Sequence, residues 1–166
     1  FIMSYIIAEI GINHEGKIKR AMKLIKNAKK AGADAVKFQL FEPETLAPNK
    51  KETKKKKLYQ MWKKVSLNEN DIKKLKEYSK KNRIDFFCSV FDKKSLKIIN
   101  KLEIKYIKIA SSDLNDDILL RKIAKTKKKV FLSTGMANEL EIKNALNILK
   151  NNKIILMHCV SLYPCP

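Results

Sequence analysis

The chain has 166 residues, with 37 Lys and Arg against 17 Asp and Glu and a formal net charge of +20. Its 45% hydrophobic content is enough for a sizeable core, which excludes wholesale disorder. The length fits one domain, or one and a part. Apolar runs such as IILM are too short to cross a bilayer. The opening FIMSYIIAEIG lacks the basic n-region and small-residue cleavage site of a signal peptide. Cys88, Cys159 and Cys165 form no CxxC pair, and the expectation is a reduced, cytoplasmic setting.

The charge is a lysine charge. Only Arg20, Arg83 and Arg121 are Arg, so 34 of the 37 basic residues are Lys. Nucleic-acid readers favour Arg for bidentate base contacts and interleave aromatics for stacking, and neither pattern occurs. The lysines are spread over most of the predicted helices, with one cluster at Lys50–Lys57 (KKETKKKK), and are read as solvated faces.

In chain order, SYIIAEI reads as a strand. A helix over Ile18–Ala31 follows, with Ala21, Leu24, Ile25 and Ala28 at helical spacing and Gly32 as its stop. AVKFQL is the second strand. A polar connection runs from Glu42 to Leu67, with a short helix over Leu58–Val65 carrying Trp62. Asn68 is placed to cap a helix over Glu69–Lys81. DFFCSV, a helix over Lys93–Lys101, YIKIA, a helix over Asp116–Thr126, VFLST, a helix over Glu139–Lys150 and IILMHC complete the alternation. Repeated βα units imply a parallel sheet with right-handed crossovers. An open doubly wound sheet and a (β/α)8 TIM barrel compete for this pattern. No GxGxxG or P-loop follows a strand, and the strand ends favour the barrel, with about six of its eight units present.

Each strand is apolar at its start and polar at its end: Glu9, then Lys37 and Gln39, Ser89, Lys108 and Ser111, Ser133 and Thr134, and His158 and Ser161. Alternation puts Val36, Phe38 and Leu40 on one face of AVKFQL and Lys37 and Gln39 on the other. In YIKIA, Lys108 likewise opposes Ile107 and Ile109. Two inward lysines are costly unless they meet anions, so with Ser111 and Ser133 they form a candidate pocket for phosphate and carboxylate.

Six segments carry a resemblance: IIAEIGINHEG (6–16), AGADAVKFQ (31–39), FFCSVFD (86–92), IKIASSD (107–113), LSTGM (132–136) and LMHCVSLYP (156–164). In this order they resemble the sialic acid synthase family, of the N-acetylneuraminate synthase type. The resemblance implies a partial TIM-barrel catalytic domain over residues 1–166. It also implies condensation of phosphoenolpyruvate with an N-acetylated hexosamine, giving a nine-carbon 2-keto sugar acid and phosphate. Lys37, Lys108, Ser111 and Ser133 match phosphoenolpyruvate-binding positions, and Glu9 matches the glutamate near the reacting aldehyde. Gln39, Ser89, Phe91, Asp113, His158, Ser161 and Tyr163 match substrate-pocket positions. The departures are Glu15 for the second Asn of NHNG, Val90 for the proline of STPFD, and Asp113 for a Glu.

The resemblance further implies a divalent metal, Mn2+ or Mg2+, whose histidine ligands are expected beyond Pro166. The last two βα units and an antifreeze-like domain are expected there too, with a homodimer, and with no membrane or nucleic-acid partner. His14 is read as a structural hydrogen-bonder, and Trp62 and Tyr59 as packing residues. The rival readings are another phosphoenolpyruvate–aldose synthase, of the 3-deoxy-octulosonate phosphate type, and a non-catalytic polyanion-binding protein on a decayed barrel.

Overall fold

The computed structural model describes residues 4–47, 53–162 and 165, with the side chains of 53–55 left aside. Tyr163, Pro48, Lys50 and Lys51 lie outside the described residues. The chain divides into two compact units, Phe1–Cys88 and Ser89–Pro166.

The first unit opens with β1 (Ile7–Gly11), α1 (Ile18–Lys30) and β2 (Ala35–Leu40). The two strands are parallel, in a register that sets Ile7 beside Ala35, Ala8 beside Val36 and Glu9 beside Lys37. An irregularity between Glu9 and Gly11 then leaves Ile10 out of the pairing. Such bulges re-aim side chains at strand ends. The helix α1 buries Ala21 and Ile25, as its apolar spacing dictates. Its end is a Schellman motif: Ala33 N–H donates to Ala28 O, Gly32 N–H donates to Lys29 O, and Gly32 sits at φ +88.

The short helix α2 (Pro43–Leu46) and the longer α3 (Thr53–Val65) follow, then α4 (Glu69–Lys81). The helix α3 starts five residues earlier than the sequence pattern placed it, inside the lysine run. Lysine is a good helix former, and its charge says only that the face is wet. Trp62 anchors this helix edge-on against Phe41, with ring centroids 5.2 Å apart, and Tyr59 donates to Glu44 Oε1 at 2.8 Å. Asn68 caps α4 in a reciprocal box: Asp71 N–H donates to Asn68 Oδ1, and Asn68 N–H donates to Asp71 Oδ2.

The strand β3 (Asp85–Val90) runs across the division between the units. The second unit then carries α5 (Lys93–Lys101), β4 (Tyr106–Ile109), α6 (Asp117–Ala124), β5 (Lys129–Ser133), α7 (Glu139–Ile148) and β6 (Ile154–Met157). Strands β4, β5 and β6 are parallel neighbours in chain order. Asp92, Asp116 and Asn138 each accept from a backbone N–H three residues on, which starts α5, α6 and α7.

Alternation sorts the β4–β5 pair into two faces. Ile107, Ile109, Val130 and Leu132 are fully buried on one. Tyr106, Lys108, Phe131 and Ser133 share the other, because Tyr106 pairs with Lys129 and Lys108 with Phe131. On that face Tyr106 and Phe131 meet edge-on, with centroids 5.7 Å apart. Lys129 Nζ lies 5.5 Å and 5.8 Å from their ring centroids. The strand β6 stops at Met157, two residues short of the expected end. Its carbonyl accepts from Thr134 N–H (3.1 Å) and Thr134 Oγ1 (3.0 Å), which closes the ladder.

Candidate active site

In the first unit, Glu9 and Lys37 are register partners on adjacent strands, and their side chains close to an ion pair of 2.6 Å. Lys37 is buried, at 8% exposure, while the Glu9 side chain is half open, at 54%. A lysine taken out of water requires an anion, and Glu9 supplies it from the solvent side. Gln39 follows on the same face of β2 and is half-buried. Cys88 is fully buried; burial pushes its thiol up, Lys37 opposes the shift and Glu9 adds to it. The thiol therefore stays protonated, and it cannot serve as a nucleophile.

His14 is fully buried in the loop after β1. Its Nδ1 accepts from Gly16 N–H at 3.0 Å, as a structural residue would. Burial lowers its pKa below the ordinary 6.5, against an opposing pull from Asp71. Its Nε2 has no hydrogen-bond partner among the described residues.

In the second unit, Lys108 is buried at 7% exposure. Its Nζ donates to Ile109 O at 2.6 Å and to Ser133 Oγ. Ser133, buried at 5%, also meets Cys159 Sγ at 3.0 Å. Ser111 Oγ accepts from Gly135 N–H at 3.0 Å. Gly135 is what lets these hydroxyls converge. A Cβ there would stand 2.3 Å from Ser161 Oγ and 2.9 Å from Ser111 Oγ, so any side chain would displace both. An ammonium, three serine hydroxyls and a backbone N–H, drawn from the ends of β4, β5 and β6, can hold a multivalent oxyanion.

Asp113, in the 3-10 turn Ser111–Asp113 after β4, has its pKa raised from 3.8 to about 6. Burial is the main cause, a hydrogen bond from Ser112 opposes it, Asp116 adds to it and Lys108 opposes it. Its Oδ2 is buried without a hydrogen-bond partner among the described residues.

Of the remaining expected residues, Ser89 is buried and Phe91 half-buried. His158 is exposed, as is Ser161. Tyr163 lies outside the described residues. Two members of the second cluster escaped the sequence reading. Gly135 was visible as the glycine of STG directly after a serine-ending strand. Cys159 carried no signal beyond its place at a strand end. Among the described residues no three or more His, Cys, Asp or Glu stand together to hold a metal ion. No helix among them is long and apolar enough to cross a membrane.

The chain is similar to known proteins. The N,N'-diacetyllegionaminic acid synthase of Campylobacter jejuni is 41% identical over 179 residues, covering 97% of this chain and 52% of that protein. The crystal structure of N-acetylneuraminic acid (sialic acid) synthetase from Leptospira borgpetersenii, in complex with citrate, matches at 35% identity and a TM-score of 0.89. That match covers 98% of this chain and 56% of that one. The crystal structure of phospho-2-dehydro-3-deoxyheptonate aldolase (DAHP synthase) from Thermotoga maritima, at 17% identity and a TM-score of 0.69 over 92% of this chain and 41% of that one, shares the fold alone. The chain spans about half the length of the curated relatives it matches. The NeuB family model matches residues 24–166, and with these relatives it establishes that the chain belongs to the NeuB family.

Proposed function

We propose that this chain carries the phosphoenolpyruvate-binding part of a (β/α)8 sugar acid synthase. The reaction condenses phosphoenolpyruvate with an N-acetylated hexosamine in its open-chain aldehyde form. The observation that carries the reading is the buried Lys108 at the centre of a serine cradle closed by Gly135. Such an arrangement is built for an oxyanion, and the relatives' names supply the sugar acids.

In the reaction, the enol carbon of phosphoenolpyruvate forms a bond to the aldehyde carbon, and the aldehyde oxygen gains a proton. Water adds at the carbon bearing the phosphate, the C–O bond to phosphate breaks, and a 2-keto acid and phosphate leave. Lys108, Ser111 and Ser133 hold anionic oxygen in this scheme; Lys37 is assigned to phosphoenolpyruvate by the resemblance alone. Glu9, open to solvent at the end of β1, is the residue to move the aldehyde's proton. The described residues do not form a site for the divalent metal that the resemblance implies, so no step is routed through one. A homodimer and a cytoplasmic location belong to the same proposal.

The test is phosphate release by the full-length protein with phosphoenolpyruvate and a divalent metal, offering N-acetylmannosamine or diacetamido-trideoxyhexoses. Sugar-dependent phosphate from one of them is expected. None from any of them would overturn the proposal.

A further inference from the structure

We infer that Cys159 is a positioning residue of the anion site: it holds the Ser133 hydroxyl so that an arriving oxyanion can take it over. The inference rests on the function proposed above. Three contacts carry it. Lys108 Nζ donates to Ser133 Oγ, Ser133 Oγ meets Cys159 Sγ at 3.0 Å, and Cys159 Sγ donates to Met157 O at 3.5 Å.

The direction of this chain follows from its ends. Lys108 is an ammonium and can only donate, which makes Ser133 Oγ an acceptor toward it. The thiol has one proton, and the Met157 carbonyl takes it. Ser133 must therefore donate its own proton to the sulfur. The order is Lys108 to Ser133 to Cys159 to Met157, every donor pointing the same way. Its far end is fixed, because Met157 O also accepts from Thr134 N–H and Thr134 Oγ1.

Sulfur is a weak acceptor. It orients the hydroxyl without binding it tightly, so a phosphate or carboxylate oxygen, a far stronger acceptor, can replace it at little cost. An oxygen acceptor in the same place would compete with the ligand. The loop that carries Cys159 is also the loop that brings Ser161 against Gly135; the Cys159 carbonyl oxygen lies 3.1 Å from the position a Gly135 Cβ would take. One segment thus delivers a ligand-facing hydroxyl and the sulfur that sets its neighbour. Cys159 touches no reacting atom in this scheme and acts through Ser133.

The experiment uses the full-length protein and two readouts. In steady-state kinetics, Cys159→Ala is expected to raise the KM for phosphoenolpyruvate about three- to tenfold with kcat nearly unchanged, the size of one oriented hydrogen bond. Cys159→Ser, which keeps a donor and an acceptor, is expected to recover part of that loss. In a Ser133→Ala background, Cys159→Ala should have no further effect. An equal loss in both backgrounds would overturn the inference, since a merely structural role is additive. In the unaltered protein, saturating phosphoenolpyruvate should slow alkylation of Cys159 relative to the exposed Cys165. Absence of protection would also overturn the inference, and this arm stands even if a variant fails to fold. Inorganic phosphate serves as a second protecting probe. Protection by phosphate without any use of phosphoenolpyruvate would sink the proposed function and leave the anion site standing.

Discussion

Glu9 and Lys37 face each other across the β1–β2 register and pair at 2.6 Å, one side chain half open and the other almost wholly buried. Their dependence is unequal. Glu9→Gln removes the carboxylate that pairs with a buried ammonium, whereas Lys37→Ala leaves a carboxylate that water can still reach. For this reason Glu9→Gln is expected to lower stability by about 1 kcal/mol or more, and the Glu9→Gln/Lys37→Met pair by less than Glu9→Gln alone. Urea unfolding of the single and double variants measures the difference.

Lys108→Ala and Lys37→Ala should each weaken phosphoenolpyruvate use far more than alanines in the 54–57 lysine run. Losing a charge-assisted contact in a buried site costs about 2–3 kcal/mol, or roughly 30- to 150-fold in kcat/KM. An exposed lysine such as Lys56 or Lys57 should change kcat/KM by less than about twofold at moderate salt. Comparable effects from the two groups would mean that the buried lysines have no special role.

Gly135→Ala tests the cradle without touching any charge. Its methyl would collide with Ser161 Oγ and Ser111 Oγ, both of which can rotate away. Expected is a loss of phosphoenolpyruvate affinity of about tenfold or more, comparable to one or two hydrogen bonds, with a small change in unfolding midpoint. Isothermal titration and thermal denaturation of the same preparation separate the two effects.

Three helices end on a residue that pays a steric penalty glycine would avoid. Arg83 (φ 53) after α4 and Glu103 (φ 50) after α5 occupy the left-handed C′ position, with Ile84 N–H donating to Ser79 O and Ile104 N–H to Ile99 O. Lys127 (φ 53) sits left-handed just past α6. At the equivalent place α1 uses Gly32. Arg83→Gly and Glu103→Gly should each stabilise by a few tenths to about 1 kcal/mol, relief of left-handed strain exceeding the entropy glycine loses on folding. Shifts in the denaturant midpoint at constant m report this.

Two groups should shape stability against pH in opposite senses. Asp113 titrates near 6 in the fold and near 3.8 when unfolded, so between about pH 4 and 6 the folded carboxyl keeps a proton that the unfolded one has lost. Stability therefore falls as pH rises through that window. His14 is lowered in the fold, so below its unfolded value of 6.5 the unfolded chain takes up a proton that the folded chain resists. Stability falls there as pH falls. Asp113→Asn should remove the first slope, and His14→Asn, whose carbonyl can still accept from Gly16, the second. Melting temperature measured from pH 4 to 8 distinguishes them.

Much of this was legible in the residues because local signals agreed. Glu69–Lys81 and Lys93–Lys101 match the observed helices, which Asn68 and Asp92 cap. Lys37 and Lys108 could be placed on buried strand faces by parity alone. What failed depended on contacts made far along the chain. The start of α3 was hidden by lysines that read as linker. The end of β6 at Met157, where Thr134 closes the ladder, carried no signal of its own. The sulfur at Cys159 became meaningful only once Ser133 was beside it.

The aromatic pair beneath Lys108 has a consequence of its own. On one face of β4–β5, Tyr106 and Phe131 form a hydrocarbon layer, with Lys129 on its far side and Lys108 and Ser133 on the near side. The rings keep water away from Lys108 on that side, so its charge is less screened than that of a surface lysine. An anion held by Lys108 would owe part of its binding to rings that it does not touch. Thinning the layer, as in Phe131→Ala, would let water in from below and weaken the grip of Lys108 while leaving every ligand contact in place.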